Sequence, residues 1–260
     1  MENSPLLSDL DWQHPIYSLV REMGQRFVAL ENLPDQLNAC DSPGRTAQGK
    51  AISFMTPAAG LPFYELHIAE SGQVPTRNNL HDFFNALVWF SLPRTKAMLN
   101  QRQVQAIKMH GIGASRGAVR DTLTLIDESA ALLITTVPEA LTAWQTHDWH
   151  TLFVQLRHAW QYDIRLVVLG HALMENWGRA YRTGYQGLTA KVWHVPFEPG
   201  KFECMSCLDA WFAQQLLRQQ TLEPCQLRPL PLCGVPGWWP DQSWPGFYQN
   251  KNVFRPKRPG

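Results

Sequence analysis

The sequence predicts an α+β fold in a single domain, with two β-hairpins, a buried central helix and an irregular C-terminal arm rich in proline and tryptophan. Three observations predict this class. The stretch 75–103 contains a helix that is apolar on nearly every face, two other stretches alternate apolar and polar residues as strands do, and prolines and tryptophans crowd the chain after residue 223. The chain has 260 residues, 45% of them hydrophobic, which is enough for one sizeable core.

The predicted domain has three parts. Residues 1–60 form an N-terminal helix and a loop, residues 62–222 form the α+β body, and residues 223–260 form an arm that wraps the surface. Apolar residues at helical spacing predict the N-terminal helix over 15–30. The prolines and glycines that follow, up to residue 50, are typical of a loop.

Two alternating segments predict the first hairpin. AISFM, residues 51–55, and FYELHIA, residues 63–69, are predicted strands joined through the turn-forming PAAG and Pro62. Gly72 and Pro75 end the second strand.

The buried central helix carries polar residues that packing alone would not select. Asn78 or Asn79 caps its first turn, and three polar side chains share one quadrant of it. They are His81, Asp82 and Asn85, at i, i+1 and i+4. An unsatisfied polar group in a buried helix costs about 1–3 kcal/mol, so each of these side chains needs a partner. They bind either each other or a ligand.

Pro93 stops or kinks this helix and starts a second one, because proline lacks the N–H that a helix interior needs but is tolerated in the first turn. Lys96, Asn100 and Gln103 then fall at i, i+4 and i+7 and form a polar stripe. With a mild kink, this stripe continues the polar face of the central helix.

The glycine-rich segment GIGASRG, residues 111–117, contains Arg116 and has backbone N–H groups that can cradle an anion. It does not follow a predicted strand, so it lacks the context of a dinucleotide-binding or phosphate-binding loop. An ordinary loop is the favoured interpretation.

The stretch 120–136 predicts the second hairpin. Leucines alternate with threonines up to residue 126, a turn follows, and the chain returns as an apolar strand. This arrangement puts Asp121 and Asp127 on the same side of the first strand, with Glu128 in the turn.

The rest of the body mixes helices and strands. The predicted elements are a helix or helix pair over 138–160, a buried strand DIRLVVLG, a helix HALMENWGRAY, a strand LTAKVWHV and a last helix LDAWFAQQLLRQQ. Gly170 ends the buried strand and delivers His171 to the first turn of the next helix, with Glu175 four residues further on. The end of a strand is a common place for a functional side chain.

Four segments carry long motifs in a fixed order. They are HDFFNALVWFSLPRTKAMLNQRQ, RDTLTLIDESAALL, VLGHALMEN and LPLCGVPGWWPDQSWPGFYQNKNVFRPKR. Together they resemble the proteobacterial domain-of-unknown-function family 3025, over about residues 62–256. The resemblance brings no established activity, substrate or cofactor, but it implies that a set of polar residues belongs to the family's pattern. The set is His81, Asp82, Asn85, Lys96, Asn100, Arg120, Asp121, Asp127, Glu128, His171 and Glu175.

We hypothesise a hydrolase that acts on a small anionic or phosphorylated substrate in a cleft. Its proposed catalytic residues are His81, Asp82, Asn85, Asp121, His171 and Glu175, with Asp127 or Glu128 as further carboxylates. Histidine titrates near physiological pH, so a histidine and carboxylate pair can serve as general base and acid. The substrate-binding residues in this hypothesis are Lys96, Asn100, Arg116 and Arg120, which would stabilise negative charge.

The sequence does not identify a cofactor, and a divalent metal is one candidate. His81, Asp82, His171 and Glu175 have side chains that bind transition metals, and such a metal lowers the pKa of bound water towards about 7. Neither helical pair has the spacing of the zinc helix H-E-x-x-H, so chemistry without a metal is favoured.

Two alternatives compete with the enzyme. The first is a noncatalytic module that binds a protein or nucleic acid partner through the same cleft or through the arm with Trp238, Trp239 and Trp244. The second gives the polar cluster a purely structural role, with Arg120 and Asp121 as an ion pair. The sequence does not decide between them, nor does it give the substrate or the oligomeric state.

Composition and net charge indicate which partners and which cellular compartment to expect. The formal net charge of +1 gives no overall attraction to nucleic acid or to an anionic membrane, so nucleic acid binding is disfavoured. The start of the chain has no leader pattern, and no apolar run is long enough to cross a bilayer. Five cysteines, an odd and sparse set, fit a reducing compartment. We therefore expect a soluble, cytoplasmic protein.

Cys204 and Cys207 enclose two residues, a spacing shared by zinc sites and redox sites. Cys225 and Cys233 are too far apart in sequence to complete a typical zinc site. A redox role resembling that of thioredoxin needs the pair to open a helix directly after a strand, and the preceding EPGKFE is not a convincing strand. Unreactive thiols at the start of the last helix are the favoured interpretation.

Overall fold

A computed structural model describes residues 7–61, 63–111, 117–201, 204–219, 221–244 and 246–257. The helices are α1 (Arg21–Gly24), α2 (Leu33–Asn38), α3 (Tyr64–Ser71), α4 (Leu80–Ser91), α5 (Pro93–His110), α6 (Gly117–Ser129), α7 (Pro138–Thr146), α8 (His171–Thr183) and α9 (Met205–Arg218). The strands are β1 (Ser53–Met55), β2 (Gln73–Pro75), β3 (Ala130–Thr135), β4 (Ile164–Val168), β5 (Thr189–Val195) and β6 (Arg228–Pro231). Short 3-10 turns connect several of them.

The strands form two separate sheets. The larger sheet has the order β4-β3-β5-β6, in which β3 runs antiparallel to β4 and parallel to β5, while β5 and β6 are antiparallel. The smaller sheet is the parallel pair of β1 and β2. Helices surround both sheets, and the predicted α+β class is confirmed.

Strand β3 lies at the centre of the larger sheet, and all of its residues are buried. Its sequence AALLIT can be buried on both faces because it offers no charged side chain. Helix α6 ends at Ser129 and β3 begins at Ala130, so the two elements join without a loop. The sheet therefore fixes the position of the last turn of α6.

The buried central helix is confirmed as α4. Phe83, Phe84 and Leu87 of α4 are fully buried. The side chain of Asn79 caps the helix by accepting a hydrogen bond from the backbone N–H of Asp82, at 2.8 Å. Pro93 opens α5, as predicted, at a position where no N–H is needed.

The first predicted hairpin is wrong. Residues 64–71 form helix α3, and β1 pairs with β2 in parallel instead of with a strand at 63–69. Gly72, which we took as the end of a strand, adopts a left-handed φ of 78° and caps the helix through its N–H. Seven residues are too few to separate alternation from a helical period.

The second predicted hairpin is also wrong. The first strand and the turn are helix α6, and only the return strand exists, as β3, pairing with β4 and β5. Leu123 and Ile126 are both fully buried, and their i, i+3 spacing places them on one face of a helix. The alternation of leucine and threonine suggested a strand, but this helical face is what packs on the core.

The two ends of the chain differ in part from the predictions. The N-terminal helix predicted over 15–30 is reduced to a 3-10 turn, Pro15–Tyr17, and to α1. The arm after residue 223 is mostly irregular, as predicted, but it also supplies β6 as an edge strand of the larger sheet. The later strands and helices are confirmed as β4, α8, β5 and α9. None of the helices described is both long enough and apolar enough to cross a membrane.

Candidate functional site

A cavity of about 430 Å³ lies between α3, α4, α5, α6 and the start of α8. The cavity is lined by most of the polar residues that were predicted from the sequence to form a site. They are His81, Asp82, Asn85, Lys96, Asn100, Gln103, Arg120, Asp127, Glu128 and His171. Apolar walls complete the enclosure and include Phe63, Ile68, Trp89, Leu99 and Leu123.

Helical spacing explains why these residues meet. On α4 the cavity is lined by His81, Asn85 and Trp89, at i, i+4 and i+8. On α5 it is lined by Lys96, Asn100 and Gln103, so the polar stripe that we predicted to continue the face of α4 does so. On α6 it is lined by Arg120, Thr124 and Asp127, which share one face at i, i+4 and i+7.

A hydrogen-bonded chain links a carboxylate to two imidazoles. His81 Nδ1 lies 2.8 Å from Glu175 Oε2, and His81 Nε2 lies 3.1 Å from His171 Nε2. His171 Nδ1 is 3.9 Å from Asp127 Oδ2, beyond hydrogen-bonding distance. The chain joins α8 to α4, and it connects His81 to residues that lie 90 and 94 positions further along the sequence.

The two imidazoles of this chain have different pKa values. The hydrogen bond to Glu175 raises the pKa of His81, although partial burial acts in the opposite direction. Burial lowers the pKa of His171 to about 4 by disfavouring its charged form, in spite of the nearby Asp127 carboxylate. Protonation of the pair therefore places the charge on His81, while His171 stays neutral.

Lys96, which is buried, and Asp127, whose side chain is 26% exposed, form an ion pair beside the imidazoles. Lys96 is 5% exposed, and its Nζ donates to Asp127 Oδ1 at 2.5 Å and to Asn85 Oδ1 at 2.7 Å. The ammonium also lies 5.5 Å from the centre of the Trp89 ring. Burial alone would raise the pKa of Asp127, but Lys96 and the two histidines together lower it, so this group is a carboxylate.

Glu65 lies on α3, in another wall of the cavity. Its Oε2 accepts a hydrogen bond from Asn100 Nδ2 at 2.6 Å. Burial raises the pKa of Glu65 to about 7, despite this hydrogen bond. The cavity thus holds a carboxyl group that exchanges a proton near neutral pH. Glu65 was not predicted as a site residue, because residues 63–69 were expected to form a strand.

Arg120 brings a positive charge to the cavity wall. It is 4% exposed, its guanidinium carbon lies 5.2 Å from the centre of the Phe63 ring, and its Nε has no hydrogen-bond partner. Arg120 forms no ion pair with any residue that the structure describes. Three more buried polar atoms that lack a partner among the described residues belong to the cavity wall: Trp89 Nε1, Asn100 Oδ1 and His171 Nδ1.

Three predicted site residues have other surroundings. Asp82 lines the cavity, but its carboxylate is occupied by Arg77, which donates through its backbone N–H, Nε and Nη2 at 2.7, 2.8 and 3.1 Å. Asp121 is exposed and does not line the cavity, because on a helix it faces away from Asp127, six residues on. Arg116 lies outside the described residues.

The predicted metal-ligand set does not assemble. Asp82 is held by Arg77, and His81 uses both ring nitrogens, one for Glu175 and one for His171. Among the residues with described positions, no group of three or more His, Cys, Asp or Glu side chains is arranged to hold a metal ion.

Comparison with known proteins gives one match. Residues 52–258 match the family model described as "Protein of unknown function (DUF3025)". No curated protein and no solved structure matches the chain. The matched stretch covers most of the chain and includes every residue that lines the cavity, together with Glu175. The chain therefore belongs to DUF3025, a family of proteins of unknown function.

Proposed function

We propose that the cavity is the active site of a hydrolase whose substrate is a small anionic molecule, in particular a phosphorylated one. One observation carries the proposal. The hydrogen-bonded chain from Glu175 through His81 to His171 reaches the same cavity in which Arg120 forms no ion pair with the described residues. Hydrolysis of a charged ester needs both features, because water must lose a proton and negative charge must be stabilised.

In this proposal His81 is the general base. Glu175 binds the Nδ1 side of the ring, so the proton of a water would go to Nε2 once that water replaces the contact of Nε2 with His171. Before the water binds, His171 lies 3.1 Å from Nε2 and orients the ring, and it stays neutral because it is buried. The raised pKa of His81 makes it a better proton acceptor near neutral pH.

The anion would bind at the inner end of the cavity. Arg120 supplies positive charge, and Trp89 Nε1 is a buried donor without a partner among the described residues. An unpaired buried donor costs about 1–3 kcal/mol, so a ligand that accepts from these atoms recovers that free energy. The protonated form of Glu65 can donate a hydrogen bond to the same anion, since the pKa of Glu65 is about 7.

The test compares the parent chain with His81→Gln and Arg120→Gln. Chromogenic phosphate monoester, phosphate diester and carboxylic ester probes are incubated with each protein. We expect turnover of an anionic probe by the parent, about a 10²-fold loss of kcat in His81→Gln and mainly a raised KM in Arg120→Gln. Arg94→Gln is the matched control, since Arg94 is exposed on α5 and does not line the cavity.

The same variants separate catalysis from a purely structural role. If the cluster only stabilises the fold, His81→Gln and Arg120→Gln will lower the free energy of unfolding by a few kcal/mol without affecting any turnover. Equal turnover of every probe by the parent and by His81→Gln would contradict the hydrolase proposal.

A second candidate function is binding of a nucleic acid backbone, and a different part of the molecule favours it. A basic groove of about 560 Å³ lies between β5, β6 and the arm. Among the described residues, it is lined by the basic Lys191, Arg228, Arg255 and Lys257 and by no acidic side chain. None of the four forms an ion pair with the described residues, so their charges attract phosphate groups.

The groove differs from the surfaces that the sequence suggested for a partner. Trp238 and Trp239 of the arm are 6% and 7% exposed and pack in the core, whereas Trp244 is 64% exposed. Stacking on bases by the first two is therefore not supported. Binding by the arm would rest on the basic side chains of the groove and on the exposed Trp244.

A salt titration tests this second candidate. Binding of a labelled single-stranded oligonucleotide is measured over a range of salt concentrations for the parent, Lys191→Ala and Arg228→Ala. If both contact phosphates, each variant weakens binding and reduces the slope of log K against log salt by about one. Lys251→Ala, an exposed arm residue outside the groove, is the control. If the parent binds no oligonucleotide at low salt, the proposal that the groove binds a nucleic acid backbone is contradicted.

A further inference from the structure

The pair Cys204 and Cys207 opens helix α9. Cys204 is the N-cap, with extended backbone at φ −150° and ψ 154°, and the N–H of Cys207 donates to the Cys204 carbonyl at 3.2 Å. Both side chains are exposed, and their Sγ atoms lie 3.0 Å apart. Ser206 Oγ lies 3.0 Å from Cys204 Sγ. Two accessible thiols thus face each other at the N-terminus of a helix.

The neighbours of Cys204 favour the thiolate form of its side chain. The hydrogen bonds from the Cys207 thiol and from Ser206 lower the pKa of Cys204 to about 7. The N-terminal end of α9 adds the positive end of the helix dipole, which favours negative charge. The contrast within the chain is clear, because burial raises the pKa of the Cys233 thiol to about 12.

The structure also changes the interpretation of the sequence. We favoured unreactive thiols because the residues before the pair did not suggest a strand. Strand β5 precedes the pair and ends at Val195, and the pair lies at the start of a helix of fourteen residues, with Cys204 as its N-cap. The helix start required for a redox pair is therefore present, although a 3-10 turn, Pro199–Lys201, lies between strand and helix.

We propose that Cys204 and Cys207 are a redox-active dithiol that exchanges with small disulfides. The Cys204 thiolate attacks one sulfur of a small disulfide, the S–S bond breaks and one small thiolate leaves. Cys207 then loses its proton to solvent, attacks the Cys204 sulfur and expels the second small thiolate. One small disulfide is reduced to two thiols, while the two protein thiols are oxidised to one disulfide.

This site is independent of the hydrolase. Neither cysteine lines the cavity, and the exchange needs no residue of the cavity. The proposal therefore stands or fails by its own experiment.

The test equilibrates the full chain with glutathione and glutathione disulfide over a series of ratios. Remaining thiols are alkylated, and intact mass and peptide mapping locate them. We expect Cys204 and Cys207 of the parent to lose alkylation together, with the loss of two hydrogen atoms and no added glutathione. Cys225→Ser is the matched control, because Cys225 is exposed outside the pair and its replacement should leave this oxidation unchanged.

Two variants test the order of the steps. Cys207→Ser should hold a stable mixed disulfide with glutathione on Cys204, because the second attack is blocked. In the parent at pH 7, Cys204 should react with iodoacetamide about tenfold faster than Cys225, since an ordinary thiol is only a few per cent thiolate there. A parent that keeps both thiols, or carries only glutathione adducts, at every ratio overturns the proposal. Equal alkylation rates for Cys204 and Cys225 overturn the role of Cys204 as the attacking thiol.

Discussion

Four ionisable side chains in and beside the cavity alternate in charge when His81 is protonated. Glu175, His81, Asp127 and Lys96 follow one another, with the neutral His171 between the second and third. Each charge then has an opposite neighbour, which reduces the free-energy cost of partly burying ionised groups. Arg120 is outside this series and forms no ion pair with the described residues, which is the reason that we assign anion binding to it.

The proton affinity of His81 depends on Glu175. We expect Glu175→Gln to lower the pKa of His81, because the largest cause that raises this pKa is the hydrogen bond to the carboxylate. NMR titration of the His81 ring in the two proteins measures the change without any substrate. Glu139→Gln, an exposed site on α7, is the control. An unchanged His81 titration in Glu175→Gln would show that the two side chains do not pair in solution.

Glu65 links stability to pH. The folded state holds its proton up to about pH 7, while the unfolded chain releases it near the ordinary value of 4.5. Between these values the unfolded chain binds fewer protons, so the free energy of unfolding falls as pH rises, by at most about 1.4 kcal/mol per pH unit from this group. The loss levels off above about pH 7.

We expect the substitution Glu65→Gln to remove this loss of stability with rising pH. Urea unfolding at several pH values is expected to show the parent losing stability relative to Glu65→Gln between pH 4.5 and about 7, with no further change above that range. Glu70→Gln, which is exposed on the same helix, should follow the parent. Parallel curves for the parent and Glu65→Gln would mean that Glu65 ionises normally in the folded state.

At the scale of elements, the junction of β4 and α8 is what brings His171 to Asp127. The N–H of Gly170 donates to the Ala130 carbonyl at 2.9 Å, which holds the start of α8 against the end of α6. A Cβ on Gly170 would lie 2.5 Å from the Glu128 carbonyl oxygen and 2.6 Å from the Ser129 nitrogen, both backbone atoms. Glycine is needed here for close approach.

Gly170→Ala should therefore separate the two elements. We expect it to lower the free energy of unfolding by about 1–3 kcal/mol, because backbone atoms must move to relieve the overlap. Thermal unfolding by circular dichroism measures the loss. Gly178→Ala is the matched control on α8, since its Cβ would meet Leu10 at an ordinary 3.4 Å and alanine favours a helix. A Gly170→Ala protein as stable as the parent would contradict the contact.

On the scale of the whole molecule, the arm is part of the core. The buried apolar residues form one cluster that runs from Leu7 to Phe254 and includes Leu230, Trp238 and Phe247 of the arm. The Nε1 of Trp149 also donates to the Arg255 carbonyl at 2.7 Å and ties the end of the arm down. The arm therefore closes one side of the fold.

Removing the arm should unfold the protein. A chain that ends at residue 222 loses β6 and exposes the apolar surface under the arm, so we expect no cooperative thermal transition and aggregation in size-exclusion chromatography. A chain that ends at residue 257 keeps every buried arm residue that the structure describes and should unfold as the parent does. Cooperative unfolding of the shorter chain would show that the arm only covers a core that is stable without it.

The sequence predicted one wall of the cavity well and another not at all. The polar face of α4 could be found because polar residues interrupt a strongly apolar helix, and the stripe on α5 because its polar residues fall at helical spacing. Glu65 and Arg77 could not be found, because a single charged residue has the same appearance in a sequence whether it faces solvent or a cavity. Asp121 was placed beside Asp127 because α6 was predicted as a strand.

By itself, the sequence determined the α+β class, the buried helix α4 with its Asn79 cap, the start of α5 at Pro93 and the order of the later elements. These features depend on local signals such as periodicity, caps and breakers, which act within a few residues. The tertiary structure alone decided that residues 64–71 and 117–129 are helices and that His81, Glu175 and His171 meet. Short ambiguous segments adopt the conformation that buries their apolar face, and contacts between distant residues depend on how the elements pack together.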